Sequence, residues 1–541
     1  MIKKIFIINI ILLISHLSAQ NLDSLYNEYL YIKGININSK KVLTDNHEIN
    51  KCAFGVVNSV RTNFEKFSDK QKQVLSSLLQ RPTTDTSFIS PKGKFRIHFN
   101  KSGNDKPGYD LNELAIAADS AYNFEVNILK YPPPPRDNGA GGDDLYDIYI
   151  QNLVSGLYGY TELETKLVGE TYSGYTVIDN DFSGSNYATN GILAAKATVA
   201  HEFHHAIQFG NYIWRESDLF YYEITSTAME EFVFDEVNDY LAYLDSYFKN
   251  PGKAINLNNG YNLSIWNIYL KDKFGFDVIK EIWQLMPQKR AVECFNDVLF
   301  NKNSSLKMEF NNFGIWTFFT NSRAVPGKYF KEAANYPKIS PTFSQNFSSN
   351  SFPIKMQSEP ISNNFIEIID GPNTITSIVS NVDIENSVSG TNKSLAFDFT
   401  LSTQSSTHYR KLAFGYYSYI ESLNKSLLAE SNIINDIPLN EGNISVEVID
   451  YAYPQPFSYK KHTTLFLPAT LNTENDAEVL IYSSSMNLVY SGQLRIVASE
   501  KISVAWNGLD NNNQKLPTGV YFYVVKCGND IQKGKFVIYN D

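Results

Sequence analysis

The feature that most constrains this chain is a group of three histidines within five residues, in the run His201-Glu-Phe-His-His205. The chain has only 8 histidines in 541 residues, so an H-E-x-x-H pattern would arise by chance in roughly 0.006 such chains. Residues four positions apart share one face of a helix, so His201 and His205 can bind one metal ion. Glu202 lies about 100° around that helix, where it can accept a proton from a water molecule. The pattern predicts a helical metal site with a general base.

A catalytic zinc site needs a third protein ligand and one open position. A third histidine six residues after His205 would complete one common arrangement, but that position is Asn211. Glu223 follows His205 by 18 residues and begins a good helical run. In this the sequence resembles the gluzincins, and the resemblance implies a glutamate on the following helix as the third ligand. We therefore expect zinc bound by His201, His205 and Glu223, with Glu216 as the rival third ligand.

Further residues can support this site. Glu230 follows Glu223 by seven positions, nearly two helical turns, so the two share a face. We expect Glu230 or Thr227 to orient a ligand histidine through its second ring nitrogen. His204 is better explained by packing or hydrogen bonding than as a fourth ligand, because four ligands would close the site.

A tyrosine hydroxyl could stabilise the oxyanion that forms during hydrolysis. The candidates are Tyr222, Tyr261 and Tyr212, and the sequence does not separate them. With 35 tyrosines in the chain, each candidate is weak by itself.

The first twenty residues predict export. Lys3 and Lys4 precede an apolar run, and Leu17-Ser-Ala19 offers a cleavage site, so residues 1–19 form a signal peptide. No later segment has 18 uninterrupted apolar residues, so we expect no transmembrane segment in the mature chain. The net charge of −10 excludes the basic surface that a nucleic-acid-binding protein needs. Three cysteines cannot form a four-thiolate zinc site, and a Cys52–Cys294 bridge stays open.

Hydrophobic periodicity gives a coarse domain plan. Residues 20–90 read as a helical N-terminal extension or propeptide, with a helix over 69–79 and a linker over 81–86. Residues 91–345 read as an α+β domain, and residues 346–445 as a β-sandwich. Within the α+β domain the pattern predicts strands over 94–99, 146–150 and 171–178, a helix over 111–131 interrupted by Glu125, and helices through most of 190–285.

The end of the chain resembles a known export domain. Short alternating strands follow Tyr451–Phe457, and the most specific runs are Trp506-Asn-Gly508, Pro517-Thr-Gly-Val-Tyr521 and Gly534-Lys535. Residues 446–541 thereby resemble the Ig-like C-terminal sorting domains of the type IX secretion system and the related flagellar-hook-capping proteins, although Pro454-Gln-Pro-Phe457 departs from their usual Pro-Asn-Pro-Phe. The resemblance implies that the type IX secretion machinery is a partner and that the protein is secreted or attached to the cell surface.

The histidine region carries a second resemblance. His201–Gln208, Glu223–Glu231 and Val237–Tyr240, with upstream runs such as Tyr146–Tyr149, resemble a family of secreted bacterial proteins assigned as metalloproteases of the gluzincin-like H-E-x-x-H type. The similarity spans roughly residues 90–290. It implies a zincin-like fold, in which a strand above the zinc pairs with the extended substrate. By analogy that strand would be 147–151 or 171–178.

These observations predict a multidomain protein, with an α+β zincin-like metallopeptidase domain followed by two Ig-like β-sandwich domains. We expect a monomeric, zinc-dependent endopeptidase that hydrolyses polypeptides with Glu202 as general base. One alternative is a surface-associated adhesive or binding protein with a catalytically degenerate zincin domain, and another is a zinc hydrolase of non-peptide esters or amides. Cys52 could cap the zinc before activation, although an ordinary thiol is the simpler interpretation.

Overall fold

The computed structural model describes most of the chain in two compact units. The first unit takes the described residues of 1–342, 358–365 and 380–395, and the second takes those of 343–357, 366–379 and 396–541. The predicted signal peptide, residues 1–19, lies outside the described residues. The described ranges are 22–35, 51–346, 351–369, 375–390, 395–405, 410–417, 431–435, 451–469, 476–498, 502–528 and 530–540.

A five-stranded sheet forms the centre of the first unit, in the order β1-β2-β3-β5-β4. Strands β2, β3 and β5 are parallel, whereas β1 and β4 run antiparallel to their neighbours at the two edges. The strands are β1 (Thr86–Ile89), β2 (Phe95–Phe99), β3 (Tyr146–Gln151), β4 (Gly159–Lys166) and β5 (Tyr172–Asp179).

The three strands predicted in this region, over 94–99, 146–150 and 171–178, are confirmed as β2, β3 and β5. The two edge strands were not predicted. In β4 the charged side chain of Glu162 is completely buried, where Arg61 and Lys33 neutralise it. Pairing of this kind hides the alternation of polar and apolar residues that marks a half-buried strand.

Helices surround the sheet. The predicted helix over 69–79 is confirmed as α3, which begins at Ser68 with a capping box formed with Gln71. The predicted helix over 111–131 ends as an α-helix at Tyr122 and continues as a π-helix over Asn123–Ile128. The helices are α1 (22–32), α2 (Phe54–Thr62), α3 (Asp69–Leu78), α4 (Leu111–Tyr122), α5 (Gly191–Asn211), α6 (Leu219–Val233), α7 (Asp245–Lys249), α8 (Ser264–Phe274), α9 (Asp277–Leu285), α10 (Ala291–Asn301), α11 (Leu306–Phe318) and α12 (Ile384–Val388).

Both faces of the sheet are covered. On one face, the core includes Ile97 and Ile148 of the sheet with Leu114 of α4 and Phe203 of α5. On the other face, Tyr175 and Val177 pack with side chains from the first 80 residues, among them Val57, Val60 and Leu75. Each fully buried apolar side chain of this size contributes about 1.5–3 kcal/mol. The N-terminal helices are therefore part of the folded unit.

Helix α5 lies at the centre of this unit, and 16 of its 21 residues are buried. It contacts the sheet, α4 and α6. A helix covered on so many sides has few polar residues that face water, so the polar side chains that it carries need partners inside the protein.

The second unit is built of β-strands. Strands β13 to β18 form a six-stranded sheet in the order β13-β16-β15-β14-β17-β18, with Trp506 and Phe536 in its core. The chain is thus multidomain, with a helix-rich region and β-sheet domains. The remaining strands are β6 (Phe343–Asn346), β7 (Ser351–Ser358), β8 (Ser362–Ile369), β9 (Ile375–Asn381), β10 (Leu395–Ser405), β11 (Arg410–Tyr417), β12 (Ser431–Asn435), β13 (Leu465–Pro468), β14 (Asp476–Ser483), β15 (Leu488–Ala498), β16 (Ile502–Trp506), β17 (Gly519–Cys527) and β18 (Asp530–Ile538).

Two further expectations have a structural outcome. Cys52 and Cys294 are buried and have free thiols, so the Cys52–Cys294 bridge is not formed. Among the helices of the described ranges, none is long and apolar enough to cross a membrane.

Candidate metal centre

Four side chains from three segments bring metal-binding atoms together. His201 and His205 of α5, Glu223 of α6 and Cys52 each place one such atom within 4.8 Å of the other three, and all four residues are buried. The Nε2 atoms of the two histidines are 3.1 Å apart. Glu223 Oε2 lies 3.1 Å from His201 Nε2 and 3.5 Å from His205 Nε2. Nitrogen, oxygen and sulfur donors in this number are those that zinc prefers.

Two glycines allow the surrounding backbone to approach the cluster. Gly260 has a φ of +96°, and a Cβ atom there would lie 2.4 Å from the Cβ of Glu223. In β4, a Cβ atom at Gly159 would lie 2.8 Å from the carbonyl oxygen of Val177 and 3.3 Å from Glu202 Oε1. Any side chain at these two positions would push the carboxylates out of place.

The second ring nitrogens of both histidines have hydrogen-bond partners. His201 Nδ1 lies 2.8 Å from Glu230 Oε1. His205 Nδ1 lies 2.7 Å from Gln208 Oε1 and 3.1 Å from Ser226 Oγ. Such partners fix the ring orientation and leave the Nε2 atoms free for an ion.

Glu230 lies beside His201, one of the two histidines that the sequence predicted as ligands. Thr227 is placed differently, since its buried Oγ1 has no hydrogen-bond partner among the described residues. The neighbouring Ser226 makes the contact with His205 instead. Ser226 and Thr227 lie about 100° apart around α6. The sequence spacing alone did not show which of them faces His205.

The charges of the cluster favour an ionised carboxylate. Burial raises the pKa of Glu223, but His205 and His201 lower it by more, to about 2. Burial lowers the pKa of His201, while hydrogen bonds to Glu223 and Glu230 raise it to about 10. Burial also raises the pKa of the Cys52 thiol, and the charges of Glu202 and Glu223 raise it further. Glu223 is therefore in the ionised form that a metal ligand requires.

Glu202 is held at the edge of the cluster by Thr161 and Cys52. Its Oε2 accepts a hydrogen bond of 2.8 Å from Thr161 Oγ1. Its buried Oε1 has no nitrogen or oxygen donor among the described residues, and the Cys52 thiol interacts with the carboxylate. Burial raises the pKa of Glu202, which brings a carboxylate closer to the range of a general base.

The three candidate tyrosines are placed differently. Tyr261 lies beside the cluster, with its ring centroid 6.1 Å from that of His201. The Tyr222 hydroxyl is engaged elsewhere, because it donates to Ile213 O in the loop after α5. Tyr212 packs its ring on Trp283. Only the Tyr261 hydroxyl contacts the backbone beside the cluster.

Glu216, the rival third ligand, lies outside the cluster. Its carboxylate accepts a hydrogen bond of 2.9 Å from Ser59 Oγ of α2. It lines a cleft of about 360 Å³ that reaches Cys52, Glu223 and Tyr261. This cleft connects the cluster with the surface of the unit.

His204 takes part in a separate contact on another side of α5. Its Nδ1 lies 2.7 Å from Glu125 Oε2, and both side chains are completely buried. Burial raises the pKa of Glu125 and lowers that of His204, so it favours the uncharged form of each group. The π-helix after α4 carries Glu125, which explains why this glutamate interrupts the apolar stripe of the predicted helix.

The structure also changes the expectation about the substrate strand. Residues 147–151 and 171–178 belong to β3 and β5, which are interior strands paired on both sides. Neither can pair with a substrate. The strand at the edge of the sheet nearest the cluster is β4, whose Thr161 contacts Glu202.

Sequence reasoning gave little weight to Cys52 and did not identify Lys51 or Ser226. Lys51 is buried and contacts the carboxylates of Glu230 and Asp239. No spacing rule connects residues 51 and 52 with a motif about 150 positions further along the chain. Only the fold brings them together.

Comparisons with known proteins add little. No family model matches the chain, and no curated protein matches it. Among solved structures, the chain has a match to PorZ, described as an essential bacterial surface component of the type IX secretion system of Porphyromonas gingivalis, at 14% identity and a TM-score of 0.15. The match covers 31% of this chain and 29% of that chain. A likeness at this level bears on neither fold nor function.

Proposed function

We propose that the protein is a secreted, zinc-dependent endopeptidase. One observation carries the proposal: His201 Nε2, His205 Nε2 and Glu223 Oε2 lie within 3.5 Å of one another. Beside them is the Glu202 carboxylate, whose Oε1 has no nitrogen or oxygen donor in the described part of the chain. The donor set, its burial and its hydrogen-bonded ring nitrogens fit a zinc ion. When bound, zinc supplies a Lewis acid that makes water nucleophilic near neutral pH and polarises a carbonyl.

Glu202 is the general base in this proposal. Thr161 holds one of its oxygens, and the other has no competing nitrogen or oxygen donor. This oxygen can accept the proton of the attacking water and later deliver it to the amine that leaves. Tyr261 is the candidate for stabilising the oxyanion, since its hydroxyl already donates to a backbone carbonyl beside the cluster, that of Cys52, at 3.2 Å.

The proposed substrate is an extended polypeptide. The outer backbone groups of the edge strand β4 bond to residues 51–53 and to the Asn58 side chain. Once released from these partners, they could pair with an added strand, which is the way that extended peptides are commonly bound. Export would depend on residues 446–541, through their resemblance to type IX sorting domains, and would place the protein outside the cell or on its surface.

The test compares the wild-type full-length chain with Glu202→Gln, and uses Glu125→Gln as the matched control. We expect equal zinc content by mass spectrometry in all three, with cleavage of a mixed-peptide library lowered about 10²–10⁴-fold only in Glu202→Gln. Equal and measurable cleavage by the wild type and Glu202→Gln would contradict the proposed base. The same comparison is made with Cys52→Ser in both chains, where the thiol cannot block the cluster. Absence of zinc from the wild type would contradict the metal site.

A second candidate function is a binding protein with a purely structural metal site. The Cys52 thiol favours it, because the cluster then offers four ligands, as structural zinc sites do. In that case removal of Cys52 should release the metal and leave the chain inactive toward peptides.

A further inference from the structure

We propose that residues 51–53 occupy the substrate-binding edge of the proposed peptidase, and that Cys52 supplies a fourth metal ligand which keeps the chain latent. This inference rests on the proposed function and concerns the regulation of the same site. Three independent sets of contacts support it: backbone pairing with β4, two buried side-chain anchors, and the position of the thiol.

The backbone of residues 51–53 pairs with the start of β4 in place of an added strand. Cys52 forms a parallel bridge with Gly159. The Tyr158 amide donates to Lys51 O at 2.8 Å, and the Ala53 amide donates to Gly159 O at 3.1 Å. These bonds use the edge groups that a bound peptide would need, so the segment and an extended substrate exclude each other.

Tyr261 completes the binding of this segment. Its hydroxyl accepts from the Cys52 amide at 3.3 Å and donates to Cys52 O at 3.2 Å. The proposed oxyanion-stabilising group is therefore occupied by the chain's own backbone, as it would be by a substrate carbonyl.

Two side chains fix the segment on either side of Cys52. Lys51 is buried and contacts Asp239 and Glu230, the latter at 2.6 Å. Phe54 stacks on the ring of His205, with 3.8 Å between ring centroids. Withdrawing Lys51 would leave two carboxylates buried without their cation, which is energetically costly. The stacked ring of Phe54 shields His205 from water.

The thiol lies where a fourth ligand would close the site. Its sulfur belongs to the group of atoms within 4.8 Å of one another, and it accepts a hydrogen bond from the Phe54 amide at 3.3 Å. Four protein ligands leave no position for water or substrate. Release needs no oxidant, because the thiolate leaves the ion with its electron pair and takes a proton from solvent.

The cleft beside the cluster shows the route by which the segment would be displaced. Gly55, Val56 and Ser59 of α2 and Leu25 of α1 line this cleft together with Glu223 and Tyr261. Movement of the N-terminal helices would widen this cleft and withdraw Cys52 at the same time.

The test uses cobalt(II) as a spectroscopic probe in the full-length chain. We compare the wild type, Cys52→Ser and Cys294→Ser, which removes a second buried cysteine away from the cluster. We expect the near-ultraviolet charge-transfer band of a cobalt–thiolate bond in the wild type and Cys294→Ser, and no such band in Cys52→Ser. With zinc, peptide cleavage by Cys52→Ser should exceed that of the wild type by about tenfold or more, which corresponds to about 1.4 kcal/mol.

The other outcomes contradict this inference, the proposed function, or both. Bound cobalt without the thiolate band in a wild type that cleaves peptides would overturn this inference alone. A thiolate band in the wild type without a gain of cleavage in Cys52→Ser would overturn latency in favour of a structural four-ligand site. Loss of the metal from Cys52→Ser would do the same. Failure of the wild type to bind cobalt would overturn both proposals. Cys52→Ala replaces Cys52→Ser if the serine variant does not fold.

Discussion

Helix α5 carries two buried histidine–carboxylate assemblies that differ in chemistry. His204 contacts Glu125, and the remaining ring nitrogen and carboxylate oxygen of this pair have no hydrogen-bond partners among the described residues. His201 contacts Glu230 through one nitrogen and turns the other toward His205 and Glu223. Both assemblies are buried, so burial and a carboxylate partner do not by themselves make a metal site. The convergence of several donor atoms distinguishes the proposed metal site from the other assembly.

The two assemblies also differ in the charges around their carboxylates. Burial raises the pKa of Glu125, the residue beside His204, and so favours its neutral form. The carboxylate beside His201 contacts the ammonium group of Lys51. A buried carboxylate without a cation adopts its neutral form, whereas a paired one keeps its charge and can polarise a ligand histidine.

The largest expected effect is on the free energy of unfolding and tests the ion pairs of Lys51. Lys51→Met leaves Glu230 and Asp239 buried without their cation, so we expect a loss of about 3–5 kcal/mol in unfolding free energy. Urea denaturation of the full-length chain measures it. The control is Lys166→Met, which removes an exposed ion pair with Glu170 and should leave the midpoint unchanged. Equal midpoints for Lys51→Met and the wild type would contradict the assigned pairing.

The next effect concerns zinc affinity. Glu223→Gln removes a charged ligand, so we expect affinity to fall by more than about a hundredfold, beyond the 10–100-fold cost of losing a supporting hydrogen bond. Glu125→Gln is the matched control, because Glu125 contacts His204 and lies outside the cluster, and it should bind zinc as the wild type does. Competition with a chromophoric chelator measures both. Similar losses in the two variants would remove the distinction between the assemblies.

A smaller effect is expected from the carboxylate that orients His201. Glu230→Gln keeps the shape of the side chain but removes the charge that faces the His201 ring and Lys51. We expect zinc affinity to fall about 10–100-fold, measured by the same competition. An unchanged affinity would show that the ring orientation does not depend on this contact.

The smallest effect separates two neighbours on α6. Ser226→Ala removes the weaker of the two contacts to His205 Nδ1, so we expect zinc affinity to fall by about tenfold at most. Thr227→Val replaces a hydroxyl that has no partner within the described chain, so affinity should not change and stability should be equal or higher. Chelator competition and thermal unfolding test the pair. The reverse ranking would restore Thr227 as the supporting residue.

The sequence predicted those parts of the structure that depend on local spacing. The positions of His201 and His205 on one helix follow from helical periodicity, and Glu223 and Glu230 follow from the same rule applied to α6. The strands β2, β3 and β5 follow from their apolar patterns. The sequence therefore predicted much of the cluster before the fold was considered.

The missed features all depend on contacts between distant segments. The edge strand β4 carries a buried Glu162 that is neutralised by Arg61, about 100 positions earlier. Cys52 reaches the cluster only because the segment before α2 pairs with that edge. Tyr222 was a reasonable candidate by position, but the loop after α5 takes its hydroxyl. Pairings of this kind leave no periodic signal in the sequence.

The most direct test of the comparison is the zinc content of three full-length proteins after dialysis: the wild type, His205→Gln and His204→Gln. The two substitutions are the same change in adjacent residues of one buried helix. The account predicts about one zinc ion per chain in the wild type and His204→Gln, and less than about a tenth of that in His205→Gln. Equal retention or equal loss of zinc by the two variants, or a wild type without zinc, would contradict it.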